Sequence, residues 1–251
     1  MTDLNGLHHA LVEAATVRSL LVASDFDGVL APIVADPAAV SARPASVEAL
    51  ETLAALNATS VAVVSGRDYR TLAGFVGPSA PFTLIGSHGA EVGPEGAALT
   101  DDEQAQLARV TAELHALADR HPGFHVETKP LSVAAHLRRV EGDATAAAEA
   151  VDALVETWPA KVVSGKEVVE FTVRQVTKGD AVTALADSLQ AEAVVYLGDD
   201  VTDEDVFTVL GPTDVGIKVG EGQTAARHRV ADPSEVTTVL VELARARAAS
   251  V

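Results

Sequence analysis

Cysteine is absent from the 251 residues, and aromatic side chains make up only 4% of them. Without cysteine the chain forms no disulfide, thiol nucleophile, iron–sulfur cluster or cysteine-ligated zinc site. So few aromatic rings argue against a surface on which nucleic-acid bases stack. No stretch offers the ~20 uncharged apolar residues that a membrane helix needs. Nor do a basic segment and an apolar run open the chain, so we expect no secretory signal and a cytoplasmic location.

Positive charge is also scarce. The chain has 18 Lys and Arg against 36 Asp and Glu, a formal net charge of −18 at pH 7. Such an acidic surface is a poor match for nucleic acid or for an anionic membrane. We therefore expect a small-molecule partner, with no nucleic acid and no membrane, and we expect a monomer.

Short apolar runs without polar alternation recur along the chain, at 20–24, 60–64, 82–85, 193–197 and 215–219. Runs of this kind are typical of parallel strands that are buried on both faces. Helical patterns, such as 46–57 and 178–189, lie between them. The alternation predicts an α/β fold with a doubly wound, Rossmann-like parallel sheet.

The middle of the chain has a different pattern. It predicts a helix at 101–120, strands at 125–129 and 132–139, a helix at 144–155, and strands at 161–164 and 168–173. Several of these strands alternate in polarity, as in a sheet that is wet on one face. We therefore predict an inserted α+β domain over 100–174, within a core domain formed by 1–99 and 175–251.

Two acidic segments follow predicted strands. Asp25 and Asp27 come directly after the first strand and precede Gly28, and Asp199 and Asp200 follow the strand at 193–197. Ligands of open α/β sheets bind at the carboxyl ends of the strands, and clustered carboxylates favour a hard cation such as Mg²⁺. The alternatives are a solvated turn for the first segment and helix capping for the second, but capping leaves the Asp199–Asp200 pair unexplained.

Two further polar residues stand at the ends of predicted elements. Ser65 ends the strand at 60–64, and Ser65 with the amides after it suits phosphate oxygens at a helix start. Lys178 begins a helix, where a cation is unfavourable unless an anion lies nearby. Each has an ordinary alternative, a common Ser-Gly turn and an exposed lysine.

Together these segments resemble the haloacid dehalogenase-like phosphatases, whose four motifs match Asp25-Phe-Asp27-Gly28, Ser65, Lys178 and Gly198-Asp199-Asp200 in order. Within that superfamily the closer resemblance is to the trehalose-6-phosphate phosphatase family. It rests on Ser65-Gly66-Arg67, on Gly86-Ser-His88-Gly89-Ala-Glu91 and on the segment 198–204. The inserted domain then resembles the cap of that superfamily.

Two stretches of the inserted domain resemble the sugar-contacting segments of the same family. They contribute Glu127, Lys129, His136 and Arg138, followed by Lys166 and Glu170. Because side chains alternate along a strand, several of these share one face and suit pairwise binding of sugar hydroxyls. The alternative for any one of them is a solvent-exposed salt bridge of under about 1 kcal/mol.

The resemblance implies a mechanism and a set of site residues. It implies Asp25 as nucleophile, Asp27 as acid and base, and Ser65 with Lys178 as holders of the phosphoryl oxygens. Mg²⁺ would be held by Asp25, the Asp27 carbonyl and Asp199, with Asp200 and Asp203 around it. The implied substrate-binding residues near the phosphate are Gly66, Arg67, His88 and Glu91. The alternatives are a phosphatase for another sugar phosphate, of sucrose or glucosylglycerate, and a non-catalytic sugar-phosphate sensor.

One further segment mimics a dinucleotide-binding fingerprint. Gly220, Gly222 and Ala225 follow a predicted strand with that spacing, but too little chain remains for the second strand and its ribose-binding acid. We predict a turn and a helix start there.

Overall fold

The computed structural model describes residues 4–34, 36, 39–77, 80–94, 99–165 and 167–251. The chain divides into two compact units. One is formed by Met1–Pro94 with Thr177–Val251, and the other by Glu95–Val176. The second unit therefore interrupts the first along the chain.

The described residues form eleven strands and eight α-helices. The strands are β1 (Leu20–Asp25), β2 (Thr59–Val64), β3 (Thr83–Gly86), β4 (Glu91–Val92), β5 (His125–Thr128), β6 (Ser132–His136), β7 (Val162–Gly165), β8 (Val168–Thr172), β9 (Ala193–Gly198), β10 (Val215–Val219) and β11 (His228–Val230). The helices are α1 (Leu4–Ala14), α2 (Pro44–Ala54), α3 (Tyr69–Val76), α4 (Asp101–Ala118), α5 (Ala144–Thr157), α6 (Lys178–Leu189), α7 (Glu204–Phe207) and α8 (Pro233–Ala248). Among these described helices, none combines the length and the apolar character needed to cross a membrane.

The first unit is built on a sheet with the strand order β11-β10-β9-β1-β2-β3-β4, parallel except for β4. Its central strands β1 and β9 are buried along their whole length. Leu20 and Val22 belong to the core on one face of the sheet, and Leu21 and Ala23 to the core on the other. Two apolar faces explain the continuous apolar runs, and the predicted doubly wound sheet is confirmed.

The second unit is a four-stranded antiparallel sheet in the order β5-β6-β8-β7, accompanied by α4 and α5. Helix α4 begins with a capping box formed by Thr100 and Glu103, and Asp143 caps α5 by accepting a hydrogen bond from Ala146. The chain order of helix, two strands, helix and two strands is as predicted.

Two local predictions are wrong. The strand predicted over 132–139 ends at His136, because residues 138 and 139 form a turn. The fingerprint-like segment from Gly220 to Ala225 starts no helix; it is a loop, and the short strand β11 follows it. The sheet therefore has one more strand, β11, after the last strand that the apolar runs predicted.

Candidate active site

The two acidic segments meet because β1 and β9 are neighbours in the sheet. Their register sets Ser24 opposite Leu197, so that both strands end at the same edge. Carboxylate oxygens of Asp25, Asp199 and Asp203 all lie within 4.8 Å of one another there. The fold thus brings Asp25 next to Asp199 and Asp203, which lie more than 170 positions further along the chain.

Lys178 lies between two of these carboxylates. Its ammonium is 2.8 Å from Asp203 Oδ1 and 3.1 Å from Asp25 Oδ1, and the residue is only 2% exposed. A capping box of Thr177 and Asp180 fixes the start of α6, of which Lys178 is the first residue. Burial by itself lowers the pKa of Lys178, but the charges of Asp25 and Asp203 outweigh burial and raise that pKa. The lysine is therefore a fixed positive charge beside Asp25.

Asp203 holds the acidic loop in shape. Its Oδ1 accepts hydrogen bonds from Lys178 and from the Tyr196 hydroxyl at 2.7 Å, and its Oδ2 accepts from the amides of Asp199 and Asp200 at 2.9 Å each. Burial favours the neutral acid, yet the charge and donors of these partners lower the pKa of Asp203. Because both oxygens already accept two hydrogen bonds, Asp203 serves to position its neighbours.

Tyr196 is a site residue that the sequence reasoning missed. It lies fully buried on β9, and its only hint in the sequence is a hydroxyl within an otherwise apolar run. Burial first, and then the charge of Asp203, raise the pKa of Tyr196 well above its ordinary value. The phenol therefore stays neutral and donates its proton to the Asp203 carboxylate.

Asp25 and Asp199 have the environment of cation ligands. Burial is the largest cause that raises the pKa of Asp25 well above its ordinary value, with Lys178 opposing it. Burial and then the charges of Asp203 and Asp200 raise the pKa of Asp199 to about 6. Such carboxylates gain from a nearby hard cation, and their oxygens suit Mg²⁺. Asp200 is exposed, and its carboxylate accepts a hydrogen bond from the Val201 amide.

Gly28 allows the Asp199 carboxylate to approach the turn after β1. A Cβ at position 28 would lie 2.1 Å from Asp199 Oδ2, and the φ of Gly28 is +78°, where side chains are strained. The Gly28 amide bonds to the Ala31 carbonyl at 2.8 Å and closes the turn. Glycine at the last position of the D-x-D-G pattern thus leaves room for the Asp199 carboxylate and adopts the positive φ of the turn.

Arg67 binds the predicted acid and base. Its Nε is 2.6 Å from Asp27 Oδ2 and its second nitrogen is 2.8 Å from Oδ1, a bidentate pair. The guanidinium also lies over the rings of Phe75 and Phe26, with centroids at 4.8 and 5.9 Å. The sequence assigned Arg67 to substrate, whereas the structure shows it fixing the direction of the Asp27 carboxylate.

Ser65 directly follows β2, the neighbour of β1, and is 1% exposed. Its hydroxyl accepts a hydrogen bond from the Arg67 amide at 3.1 Å, and its carbonyl accepts one from the His88 amide at 3.0 Å. The His88 ring lies against Gly66, where a Cβ would be 2.5 Å from Cε1 of that ring. The motifs around positions 65 and 88 therefore pack against each other.

Glu91 is almost fully buried within the same unit. Its Oε2 accepts hydrogen bonds from the Tyr69 amide at the start of α3 and from the Ser87 hydroxyl, both at 2.8 Å. The sequence predicted a substrate-binding role for Glu91. In this structure its carboxylate joins α3 to the turn that carries His88.

The second unit groups several predicted sugar-binding residues on one sheet face. Ala134 pairs with Glu127 on one side and with Glu170 on the other, so both glutamates are on that face. Lys129 Nζ is 2.9 Å from Glu170 Oε2, and His136 Nε2 is 2.8 Å from Glu127 Oε2. These are two acid–base pairs of the kind that bind hydroxyl groups.

Arg138 stands apart from that grouping. Arg138 lies in the turn after β6 with a side chain that is 74% exposed, and its Nε is 3.6 Å from Glu167 Oε2. Lys166 lies outside the described residues. Of the five described residues that were predicted to bind sugar, the structure therefore brings four together.

The site can be compared with known proteins. The family model described as trehalose-phosphatase matches residues 23–238. A trehalose-phosphate phosphatase of Mycobacterium bovis is 36% identical over 94% of this chain, and the chain spans 64% of that relative's length.

Solved structures share the fold. The C-terminal domain of Candida albicans trehalose-6-phosphate phosphatase matches with a TM-score of 0.78 at 22% identity, covering 98% of each chain. The C-terminal domain of a Candida albicans trehalose synthase regulatory protein matches with a TM-score of 0.69 at 16% identity, covering 93% of this chain and 97% of that one. Since a regulatory protein has this fold too, the fold alone does not identify an activity, and the residues of the site have to be considered.

Proposed function

Because the chain belongs to the trehalose-phosphatase family, we propose that it hydrolyses trehalose 6-phosphate to trehalose and phosphate with the help of Mg²⁺. The observation that carries the proposal is the buried ion pair of Asp25 with Lys178 beside Asp199 and Asp203. A protein that only sensed a sugar phosphate could dispense with the nucleophile, so the presence of Asp25 beside Lys178 favours an enzyme. We propose further that 1–99 with 175–251 is the catalytic core and that 100–174 is the substrate-selecting cap.

In the first step an Asp25 oxygen attacks phosphorus and forms an aspartyl-phosphate, while the bond from phosphorus to the sugar oxygen breaks. Asp27 gives its proton to that oxygen, and trehalose leaves as an alcohol. Lys178 and the Ser65 turn stabilise the three oxygens of the transferring group. Arg67 donates two hydrogen bonds to the Asp27 carboxylate, and so orients the ionised form that remains once the proton has passed to the sugar oxygen.

In the second step a water molecule attacks phosphorus, and the bond from phosphorus to the Asp25 oxygen breaks. Asp27 takes the proton from that water, which restores the acid consumed in the first step. Phosphate leaves, and both carboxyl groups return to their starting state. Asp27 thus supplies one proton and recovers one in each turnover.

The residues that would hold Mg²⁺ are Asp25, Asp199 and the main-chain carbonyl of Asp27, with Asp200 and Asp203 close by. The carboxylate donors and their raised pKa values fit a hard divalent cation. When bound, the cation supplies positive charge that reduces repulsion between Asp25 and the phosphate dianion.

The central experiment measures phosphate release from a panel of sugar phosphates, with Mg²⁺ and with EDTA. We expect preference for trehalose 6-phosphate, and loss of activity in EDTA that Mg²⁺ restores. Asp25→Asn should abolish turnover while the far-ultraviolet circular dichroism stays that of the wild type. Appreciable turnover by this variant would refute the nucleophile. Preference for the phosphate of sucrose or glucosylglycerate would support the alternative substrates, and binding without turnover would support a sensor.

The role of the cap is tested with two substrates. Glu127→Ala and Lys129→Ala should reduce hydrolysis of trehalose 6-phosphate more than hydrolysis of a small aryl phosphate. Glu149→Ala on α5 is the matched control, because it removes an acid of the same domain outside the sugar-binding stretches. Equal losses on both substrates would contradict a sugar-binding role.

The remaining parts of the proposal concern the molecule in the cell. The net charge of −18 supports a small-molecule partner over nucleic acid. We propose a monomeric, cytoplasmic enzyme, to be checked by light scattering of the purified protein and by cell fractionation.

A further inference from the structure

Lys218 is a buried lysine to which neither the motifs nor the proposed mechanism gives a role. It lies on β10 opposite Gly198, the residue that precedes Asp199, and it is 4% exposed. A lysine is almost never fully buried unless its ammonium has partners. The partners of Lys218 therefore indicate why it is there.

Those partners belong to the acidic loop. The Lys218 ammonium donates a hydrogen bond to the main-chain carbonyl of Asp199, and Glu204 Oε1 lies 3.8 Å from it. The other oxygen of Glu204 accepts a hydrogen bond from the Ala225 amide at 2.8 Å. Lys218 and Glu204 thus connect β10, the acidic loop and the loop after β10.

Asp199 is consequently held at both of its main-chain polar groups. Its amide donates to Asp203 Oδ2 at 2.9 Å, and its carbonyl accepts from Lys218. With both groups fixed, the backbone of Asp199 cannot rotate freely, and its carboxylate stays against Gly28. The ammonium also adds positive charge beside a cluster of acids.

From this geometry we propose that Lys218 is a positioning residue, which holds the Asp199 carboxylate in the orientation needed to bind a divalent cation. The proposal rests on the proposed function only in taking Asp199 as a cation ligand. Groups that orient metal ligands typically contribute 10- to 100-fold to metal affinity. Lys218 touches neither substrate nor the reacting atoms in this role.

The test is binding of Mg²⁺ alone to the whole chain, by titration calorimetry and by the rise in melting temperature. Lys218→Met keeps the aliphatic stem and removes the ammonium. We expect its dissociation constant for Mg²⁺ to rise at least about 10-fold. At saturating Mg²⁺ we expect the KM for substrate to stay near the wild-type value. Arg245→Met is the matched control, because it removes an exposed cation on α8.

Wild-type Mg²⁺ affinity in a folded Lys218→Met protein would overturn the proposal. If that variant shows no cooperative melting, Lys218→Gln, which keeps a polar group beside Glu204, is measured against the same criterion. Failure of both to fold would make Lys218 a folding residue and would also overturn the proposal. If the wild type binds Mg²⁺ and Lys218→Met binds it more weakly, but the wild type releases no phosphate, the proposed function alone is refuted.

Discussion

Replacing Asp199 by asparagine should stabilise the metal-free protein at neutral pH. Burial and the charges of Asp203 and Asp200 raise the pKa of Asp199 from its ordinary 3.8 to about 6. A shift of about two units corresponds to about 3 kcal/mol of unfavourable interaction for the ionised form. Since Asp199 is partly open to water, screening reduces this to an expected gain of about 1–2 kcal/mol.

The gain should depend on pH in a fixed direction. A carboxyl group with a raised pKa binds its proton more tightly in the folded state, so wild-type stability falls as the pH rises from about 4 to about 6. Asparagine cannot titrate. The difference in unfolding free energy between Asp199→Asn and the wild type should therefore be near zero at pH 4 and reach its full value above pH 6.

The assay is urea unfolding in EDTA at several pH values, repeated with Mg²⁺ at pH 7.5. Glu51→Gln, an exposed acid on α2, controls for the loss of one negative charge. With Mg²⁺ the wild type should become more stable than Asp199→Asn, because a ligand at 100 times its dissociation constant stabilises the protein that binds it by about 2.7 kcal/mol. The reasoning is refuted if Asp199→Asn is less stable than the wild type in EDTA at pH 7.5. It is also refuted if the difference in unfolding free energy between the two proteins does not change with pH.

Two further substitutions test single contacts. Arg247→Met should lower the unfolding free energy, measured in urea, by about 3 kcal/mol, because the fully buried guanidinium donates to five main-chain carbonyls. The control Arg245→Met removes an exposed guanidinium and should change the unfolding free energy by under about 0.5 kcal/mol. Equal effects of the two substitutions would contradict this prediction. Gly28→Ala should weaken Mg²⁺ binding by about 10-fold in calorimetry, because its Cβ would displace the Asp199 carboxylate. Gly93→Ala has a similar positive φ with open space around it, so it should show the backbone strain without the loss of Mg²⁺ affinity.

The structure brings together predicted residues that stand at the ends of regular elements. Asp25 ends β1, Asp199 follows β9, and Lys178 follows a capping threonine at a helix start. Parallel neighbours in a sheet end at one edge, so strand ends predict proximity even when the residues are far apart in the chain. The family resemblance carried by these motifs is confirmed by the match over residues 23–238.

The partners of those residues depend on packing that local pattern does not encode. Arg67 and Glu91 were predicted to bind substrate because they stand in the motifs. The motifs did not predict that Arg67 pairs with Asp27 or that Glu91 joins α3 to a neighbouring turn. Tyr196 and Lys218 were missed, although each interrupts an apolar run of a strand buried on both faces. A polar group in such a strand must find a partner inside the protein, and that rule would have pointed to both.

Negative charge exceeds positive charge at this site, as it does in the chain as a whole. Oxygens of the three carboxyl groups of Asp25, Asp199 and Asp203 lie within 4.8 Å of one another, and the Lys178 ammonium contacts Asp25 and Asp203. At about 4 Å and an effective dielectric constant of 20, each carboxylate repels each phosphate charge by about 4 kcal/mol. Lys178 cannot offset that repulsion alone, because it already pairs with two of the three acids. If the proposed function is right, a phosphorylated sugar gains a favourable site only once a cation has joined the cluster, so we expect the cation to bind before the substrate or together with it.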